Sequence, residues 1–241
     1  MSNISVLFIG ELQRMKKYNI FAASFLLSLI WIGVLQFADI KDVSGIFPLL
    51  IFIDVTSMAI LMIGVTMFFE KQEGVIKTLL VSPISKGEYI ISKTCANIIS
   101  NLITLVIIYF YAKLFKEIHI KIIPLLGFVV LIAFFHSMIG FVLTYYSKDF
   151  TELLIGMMKY SFILMIPVLL EQVGLIKNEF IKKLFYMLPT KASFILLQSC
   201  VGGIKNWEIV FSTLYLIIVS ILLYFFVHKK FDEFAIKESG V

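Results

Sequence analysis

Six unbroken apolar runs decide what this chain can fold into. A helix rises about 1.5 Å per residue, so about 20 apolar residues cross roughly 30 Å of hydrocarbon. Runs of that order lie at residues 20–38, 45–69, 94–114, 122–146, 152–170 and 207–227. They are continuous and not alternating, which excludes an outer-membrane barrel. Composition agrees: 60% of the 241 residues are apolar and 15% charged, against roughly 45–50% and about 25% in a soluble domain. A soluble enzyme, a disordered chain and a disulfide-stapled secreted domain are excluded together. The expectation is an all-α polytopic membrane protein with six transmembrane helices, forming one membrane domain over residues 1–241.

The flanks of these runs add detail. In residues 4–17, Ile4, Leu7, Phe8, Leu12 and Met15 recur at helical spacing, with Glu11, Gln13, Arg14, Lys16 and Lys17 opposite them. That pattern predicts an amphipathic helix lying in the membrane interface. Basic residues precede the first span and Asp39 follows it, which points to a cytoplasmic N-terminus. Six crossings then return the C-terminus to the same side. Counted over all segments, the basic residues are nearly balanced, with eleven on the cytoplasmic side, nine outside and Lys159 within a span. No small-residue cleavage pattern follows the basic cluster, so the first span reads as a retained anchor in the cell membrane. The net charge of +5 fits cations at anionic headgroups, not nucleic-acid binding. Cys95 and Cys200 fall on opposite sides, forming no CxxC pair, and no His stands at metal-ligand spacing.

Prolines mark irregularities. Pro48 and Pro124 sit in the first turns of their spans, where they are tolerated. Pro167 is expected to kink the fifth span near its outer end. Residues 171–206 hold two apolar pieces, 180–188 and 192–202, too short to cross and separated at Leu188-Pro189-Thr190. They read as a broken re-entrant hairpin or as helices on the outer surface before the sixth span.

The polar segment after span 2 carries the functional message. Residues 67–93 read MFFEKQEGVIKTLLVSPISKGEYIISK. Span 2 is expected to continue as a stiff helix past Glu70, with Val75, Ile76, Leu79 and Leu80 as its apolar stripe. Ser82-Pro83 ends it, and Ser85 with Glu88 three residues later forms a capping box for a second helix. Two short helices joined at a proline would thus project from the membrane.

This segment resembles the cytoplasmic loop of the permease subunits of type-2 ABC exporters, which runs roughly Glu-x-x-Glu-Gly-Thr-x-x-x-Leu-Leu-x-Ser-Pro-Ile and ends in Lys. Glu70, Glu73, Gly74, Leu79, Leu80, Ser82, Pro83, Ile84 and Lys93 fall in register, with Val75 in place of the usual Thr. The likeness extends to the N-terminal helix, the six spans and the Tyr186-Met187-Leu188-Pro189-Thr190 run. It implies a subunit that pairs as a homodimer or heterodimer and binds cytoplasmic ATPase subunits. The coupling positions would be Glu70, Glu73, Gly74 and Pro83, with Glu11 and Arg14 on the N-terminal helix. The chain has no GxxxxGK[ST] loop, so it cannot bind ATP in that manner; the resemblance then implies that ATP and Mg belong to a partner ATPase and that this chain is a non-catalytic subunit with no cofactor of its own. The cargo implied is a drug, antimicrobial peptide or lipid-like molecule, leaving the cell in efflux or immunity.

Three polar side chains interrupt the apolar runs. Asp54 lies about 13 Å from the outer end of span 2, Lys159 about 10 Å from the inner start of span 5, and His136 about 21 Å along span 4. A lone charge at such depth costs at least about 2.5 kcal/mol, so partners are expected. An Asp54 to Lys159 pair on the translocation path is one arrangement; a structural role, snorkelling of Lys159 and an interhelical bond from His136 are the others. A gradient-driven transporter using the three as a proton relay is the competing reading, although no internal repeat supports it. Asn97, Ser100, Asn101 and Thr104 on span 3, with Thr56, Ser57 and Thr66 on span 2, are expected either to line a path or to bond back to helix carbonyls.

Overall fold

The structure, a computed structural model, describes residues 3–37 and 40–239. Ala38 and Asp39, expected at the end of the first span, lie outside them, as do the side chains of Leu80 and Lys237. Helices make up the architecture: α1 (Asn3–Lys17), α2 (Ile20–Phe37), α3 (Phe47–Gln72), α4 (Val75–Leu80), α5 (Lys86–Phe115), α6 (Ile122–Tyr146), α7 (Phe150–Tyr160), α8 (Ile166–Gln172), α9 (Glu179–Phe185), α10 (Pro189–Ser199) and α11 (Asn206–Ser239). Among the described residues there is no strand, only an isolated parallel bridge between Asp42 and Glu117. Among the described residues, six helical segments are long and apolar enough to cross a membrane: α2, α3, α5, α6, the run Phe150–Gln172 and α11. The protein is therefore a multi-pass membrane protein of the expected class.

Helix α3 is the axis of the bundle. It packs on α6, α5, α10 and α7, and most of its residues are buried. Two glycines set how closely its neighbours approach. A Cβ on Gly140 of α6 would lie 2.9 Å from the Ile60 carbonyl oxygen and 3.2 Å from its Cα. A Cβ on Gly64 would meet the Leu153 side chain of α7. Where apolar lipid supplies no hydrophobic drive, such close backbone packing is what holds helices together.

Three elements differ from the sequence expectation, each for a local reason. Span 2 does not run on as one rigid helix. It stops at Gln72, and Gly74 takes the left-handed conformation (φ 72°) that favours glycine, so α4 is a separate turn-and-a-half. The third span begins not near Thr94 but at Lys86, because the Ser85 and Glu88 capping box starts a helix that continues unbroken to Phe115. The sixth helix does not end near Val227 but runs 34 residues to Ser239. At about 1.5 Å per residue that is roughly 51 Å, well beyond the hydrocarbon thickness. Its extension packs Phe231 and Phe234 against Tyr89 and Tyr145, and Lys86 pairs with Asp232 at 2.7 Å.

The fifth span carries the predicted irregularity. Between α7 and α8, residues Ser161–Met165 form a π turn directly before Pro167. Proline offers no N–H and crowds the carbonyl four residues back, here Ile163, and a widened turn accommodates both. The apolar pair before α11 divides in two: α9 has no buried residue, whereas α10 buries Thr190, Ala192 to Leu197 and packs on α11, α3 and α6. At that end Lys121 N–H donates to the Cys200 carbonyl (3.1 Å), and Glu117 N–H to the Lys41 carbonyl (2.9 Å). The cysteines are both free, Cys95 exposed and Cys200 buried.

The close approach at Gly140 predicts a steric cost. Gly140→Val is expected to destabilise the solubilised protein by about 1–3 kcal/mol. Gly127→Ala on the same helix, where a Cβ meets nothing within 4 Å, is expected to leave thermal unfolding unchanged.

Candidate functional site

The end of the bundle that carries α1, α4 and the start of α5 holds a buried cluster of charge. Helical spacing puts Glu11 and Arg14 one turn apart on α1, where they pair directly. The last turns of α3 bring Glu70 beside them, and α5 contributes Lys93 and Tyr89. The Lys93 ammonium donates to Glu11 Oε2 and to Glu70 Oε1, each at 2.8 Å. Arg14 Nε lies 3.3 Å from Glu70 Oε1, and Tyr89 donates its hydroxyl to Glu70 Oε2 at 2.6 Å. The ammonium also sits 5.2 Å from the Tyr89 ring centre. Lys93, Glu11 and Glu70 are at most 2% exposed. Two acids and two bases balance, so the cluster buries no net charge.

A second, exposed contact flanks it. Lys17 donates to Glu73 Oε1 at 2.6 Å and Tyr18 to Glu73 Oε2 at 2.8 Å, while Tyr18 stacks on Phe69 at 4.6 Å. The hydrogen bond from Lys17, then that from Tyr18, holds the Glu73 carboxyl below its ordinary value. Burial raises the Tyr18 phenol, helped by its bond to Glu73. Together the two contacts fasten α1 to the α3–α4 junction.

Of the residues expected at this site, Glu11, Arg14 and Glu70 therefore face one another inside the fold. Glu73 is exposed and paired at the rim. Gly74 makes the turn, and Pro83 is exposed in the link between α4 and α5. Lys93, which the loop pattern marks only as its closing residue, and Tyr89, which the pattern does not mark, are central. The signal available was an acid at one span end facing a lysine at the start of the next. Beyond the cluster, α4 packs on α11 and α3. Leu7, Arg14, Val75, Leu79, Ser82 and Ile84 line a shallow groove of about 100 Å3 between α1 and α4. At the tip, Lys77, Thr78, Val81, Pro83 and Ser85 are exposed, with Val81 at 86%.

The polar groups inside the spans are not joined into one site. The expected Asp54 to Lys159 pair does not form. Asp54 is buried and accepts from Trp31 Nε1 at 2.9 Å, whereas the Lys159 side chain is exposed on the outer face of α7, where its long stem can carry the ammonium toward headgroups. His136 is fully buried. Its Nδ1 is 2.8 Å from the Ile132 carbonyl of its own helix, and its ring lies edge-on to Phe135 and Tyr160. Most of the small polar groups bond back one turn: Thr56 to Phe52, Thr66 to Met62 and Thr104 to Ser100. Asn97 instead crosses to the Ala59 carbonyl and to Ser137, and Ser24 meets Ser100.

The likeness to known proteins spans nearly the whole chain. The sequence model of the fluoroquinolones export permease protein family matches residues 4–239. Two relatives, the fluoroquinolones export permease protein MT2761 of Mycobacterium tuberculosis (strain CDC 1551 / Oshkosh) and the fluoroquinolones export permease protein Rv2687c of Mycobacterium tuberculosis (strain ATCC 25618 / H37Rv), are each 22% identical to the chain over 233 residues. That alignment covers 96% of this chain and 95% of each relative.

Two outcomes follow from the geometry. Lys93→Met leaves two buried carboxylates facing a single partly buried guanidinium, so it is expected to cost about 3–5 kcal/mol in denaturant unfolding of the solubilised protein. Lys17→Met, at the exposed rim, is expected to change it little. Because the Glu73 carboxyl is depressed when folded, its contribution is complete above the ordinary value of 4.5 and is lost as pH falls through the lower folded value. Hydrogen exchange of the last turn of α1 is expected to accelerate over that interval, and Glu73→Gln is expected to remove that component of the acceleration.

Proposed function

The chain belongs to the fluoroquinolones export permease protein family, and from that premise we propose that it is the membrane-spanning subunit of an ATP-driven ABC exporter that moves an amphipathic drug of the fluoroquinolone kind out of the cell. In this reading ATP and Mg are held by a separate cytoplasmic ATPase, and a second permease subunit completes the pathway. The end bearing α4 faces the cytoplasm, and both termini lie on that side.

The observation that carries the reading is the buried union of Glu11, Arg14, Glu70 and Lys93 directly behind an exposed tip. A motor pressing on residues 77–85 acts on α4, which packs on α11 and α3. Behind it, α1, α3 and α5 are tied by charge at one point, so displacement of the tip is passed to the starts of two spans together. Gly74 supplies the turn that presents α4, and Pro83 ends it. Glu73 joins α1 to the same junction.

A proton relay through Asp54, His136 and Lys159 has less support. Among the described residues no hydrogen bond links the three. Asp54 faces α2 through Trp31, His136 faces α7 through Tyr160, and Lys159 is exposed.

The test uses the permease expressed with its ATPase. Val81→Asp, at the most exposed apolar side chain of the tip, is expected to weaken ATPase co-purification by about tenfold or more with unchanged thermal unfolding. Val81→Cys is expected to cross-link to the ATPase. Nucleotide-dependent efflux that survives Val81→Asp, together with no cross-link, rejects the tip as the coupling contact.

A further inference from the structure

Asp54 stands apart from the other acids among the described residues. It is 3% exposed, lies within a membrane-spanning helix and has no cationic partner among the described residues. Its one hydrogen bond, from Trp31 Nε1 at 2.9 Å, fixes the carboxylate without neutralising it. The tip cluster, by contrast, gives each acid a base. A carboxylate so placed calls for a cation or a proton supplied from outside the fold.

What surrounds Asp54 argues for the cation. Counting along α3 from Asp54, the residues at helical spacing are Met58, Leu61, Val65 and Phe68. All four are half-exposed, with Met58, Leu61 and Val65 packed on one side against Met15, Ile20 and Ala96, while Val55, Thr56, Ala59, Ile60, Met62 and Ile63 are buried. The helix therefore leaves an apolar stripe partly open, with an acid at its head. At its other end the stripe opens into a groove of about 230 Å3 lined by Val65, Phe68, Phe69, Gln72 and Phe150. Helix α2 packs mainly along α5 and α1, and the Trp31 indole reaches from it to the acid. Indole is the aromatic ring best suited to hold an organic cation against its face, and methionine adapts to varied apolar shapes.

We propose that this stripe of α3, from the groove at Val65 and Phe68 to Asp54, binds a lipophilic organic cation, with the cationic centre against the Asp54 carboxylate and the Trp31 indole and the apolar body over Met58, Leu61 and Val65. The site gives the exporter reading a cargo chemistry and rests on that reading for its purpose. The groove end lies beside the tip and the acid lies toward the opposite end, so the stripe runs along the direction of transport. Charge complementarity selects the occupant: a neutral lipid or a second copy of the chain covers the stripe without answering the carboxylate.

The experiment is equilibrium binding to the full-length protein in lipid nanodiscs, without nucleotide or ATPase, so that its result is independent of whether coupling exists. The probes are tetraphenylphosphonium and the neutral triphenylphosphine oxide. Asp54→Asn retains an oxygen for Trp31 and is expected to weaken tetraphenylphosphonium binding by about tenfold or more, leaving the oxide unchanged. Asp54→Glu is expected to restore most of the affinity. If Asp54→Asn does not fold, Met58→Lys, at a half-exposed position one turn away, is expected to abolish cation binding alone. Equal affinity of the variants and the parent for tetraphenylphosphonium overturns the proposal, and so does equal loss of both probes. Cross-linking of Met58→Cys to a second copy, with a yield that tetraphenylphosphonium does not lower, assigns the stripe to a subunit interface and overturns it as well.

Discussion

Everything at the α4 end of the molecule depends on burying four charges together. Moving ions out of water is expensive, and attraction between partners repays that expense only when geometry and hydrogen bonding are nearly complete. Here Lys93 reaches both acids at 2.8 Å, Tyr89 takes the remaining oxygen of Glu70, and Arg14 closes the set. The net stabilisation of such a cluster is small, but its requirement for position is strict. Helices α1, α3 and α5 cannot slide past one another without stranding a charge. Apolar side chains at these positions would give comparable stability with far less register.

The opposite requirement, for backbones that come close without polar contacts, governs the middle of the bundle. Gly140 lets α6 lie against the Ile60 backbone, and Gly64 makes room for Leu153 of α7. Around this dry contact the polar side chains either return to their own helix, as at Thr56 and Thr66, or bridge once, as at Asn97. Among the described residues, the π turn at Ser161–Met165 is where the fifth span departs from regular α geometry. It follows directly from a proline that a regular helix has no room for.

The membrane crossings were legible because they depend on a bulk property, the length of apolar runs, which sequence displays directly. The capping box at Ser85 and Glu88 was legible because it is a local pattern. Boundaries were not, since hydropathy marks where apolar residues begin and not where a helix does. Helix α5 starts eight residues before Thr94, and α11 continues past His228 because Phe231 and Phe234 find aromatic partners on α5 and α6. The break at Gly74 was hidden by a continuous helical pattern on both sides. Glu70 and Lys93 could be placed at the site, but their mutual contact could not, since it depends on how three helices pack. The same limit made an Asp54 to Lys159 pair reasonable on depth alone, although the two side chains point to different surroundings.

The break at Gly74 changes what kind of device the tip can be. A helix continuous from α3 into α4 would act as a single rod, and thrust at its end would travel along α3. With a left-handed residue between them, α4 can rotate about Gly74 without turning α3. In the proposed coupling, thrust must therefore leave α4 sideways, through its contact with α11, or onward through Pro83 into α5. Both routes converge on the cluster through α5, because Phe231 of α11 packs on Tyr89 of α5 and α5 also carries Lys93. The acid at the end of α3 then receives the displacement through ion pairs and not through its own backbone. That places the mechanical burden on Glu70 and Lys93, and leaves α3 free to keep its close contact with α6 while the helices around it move.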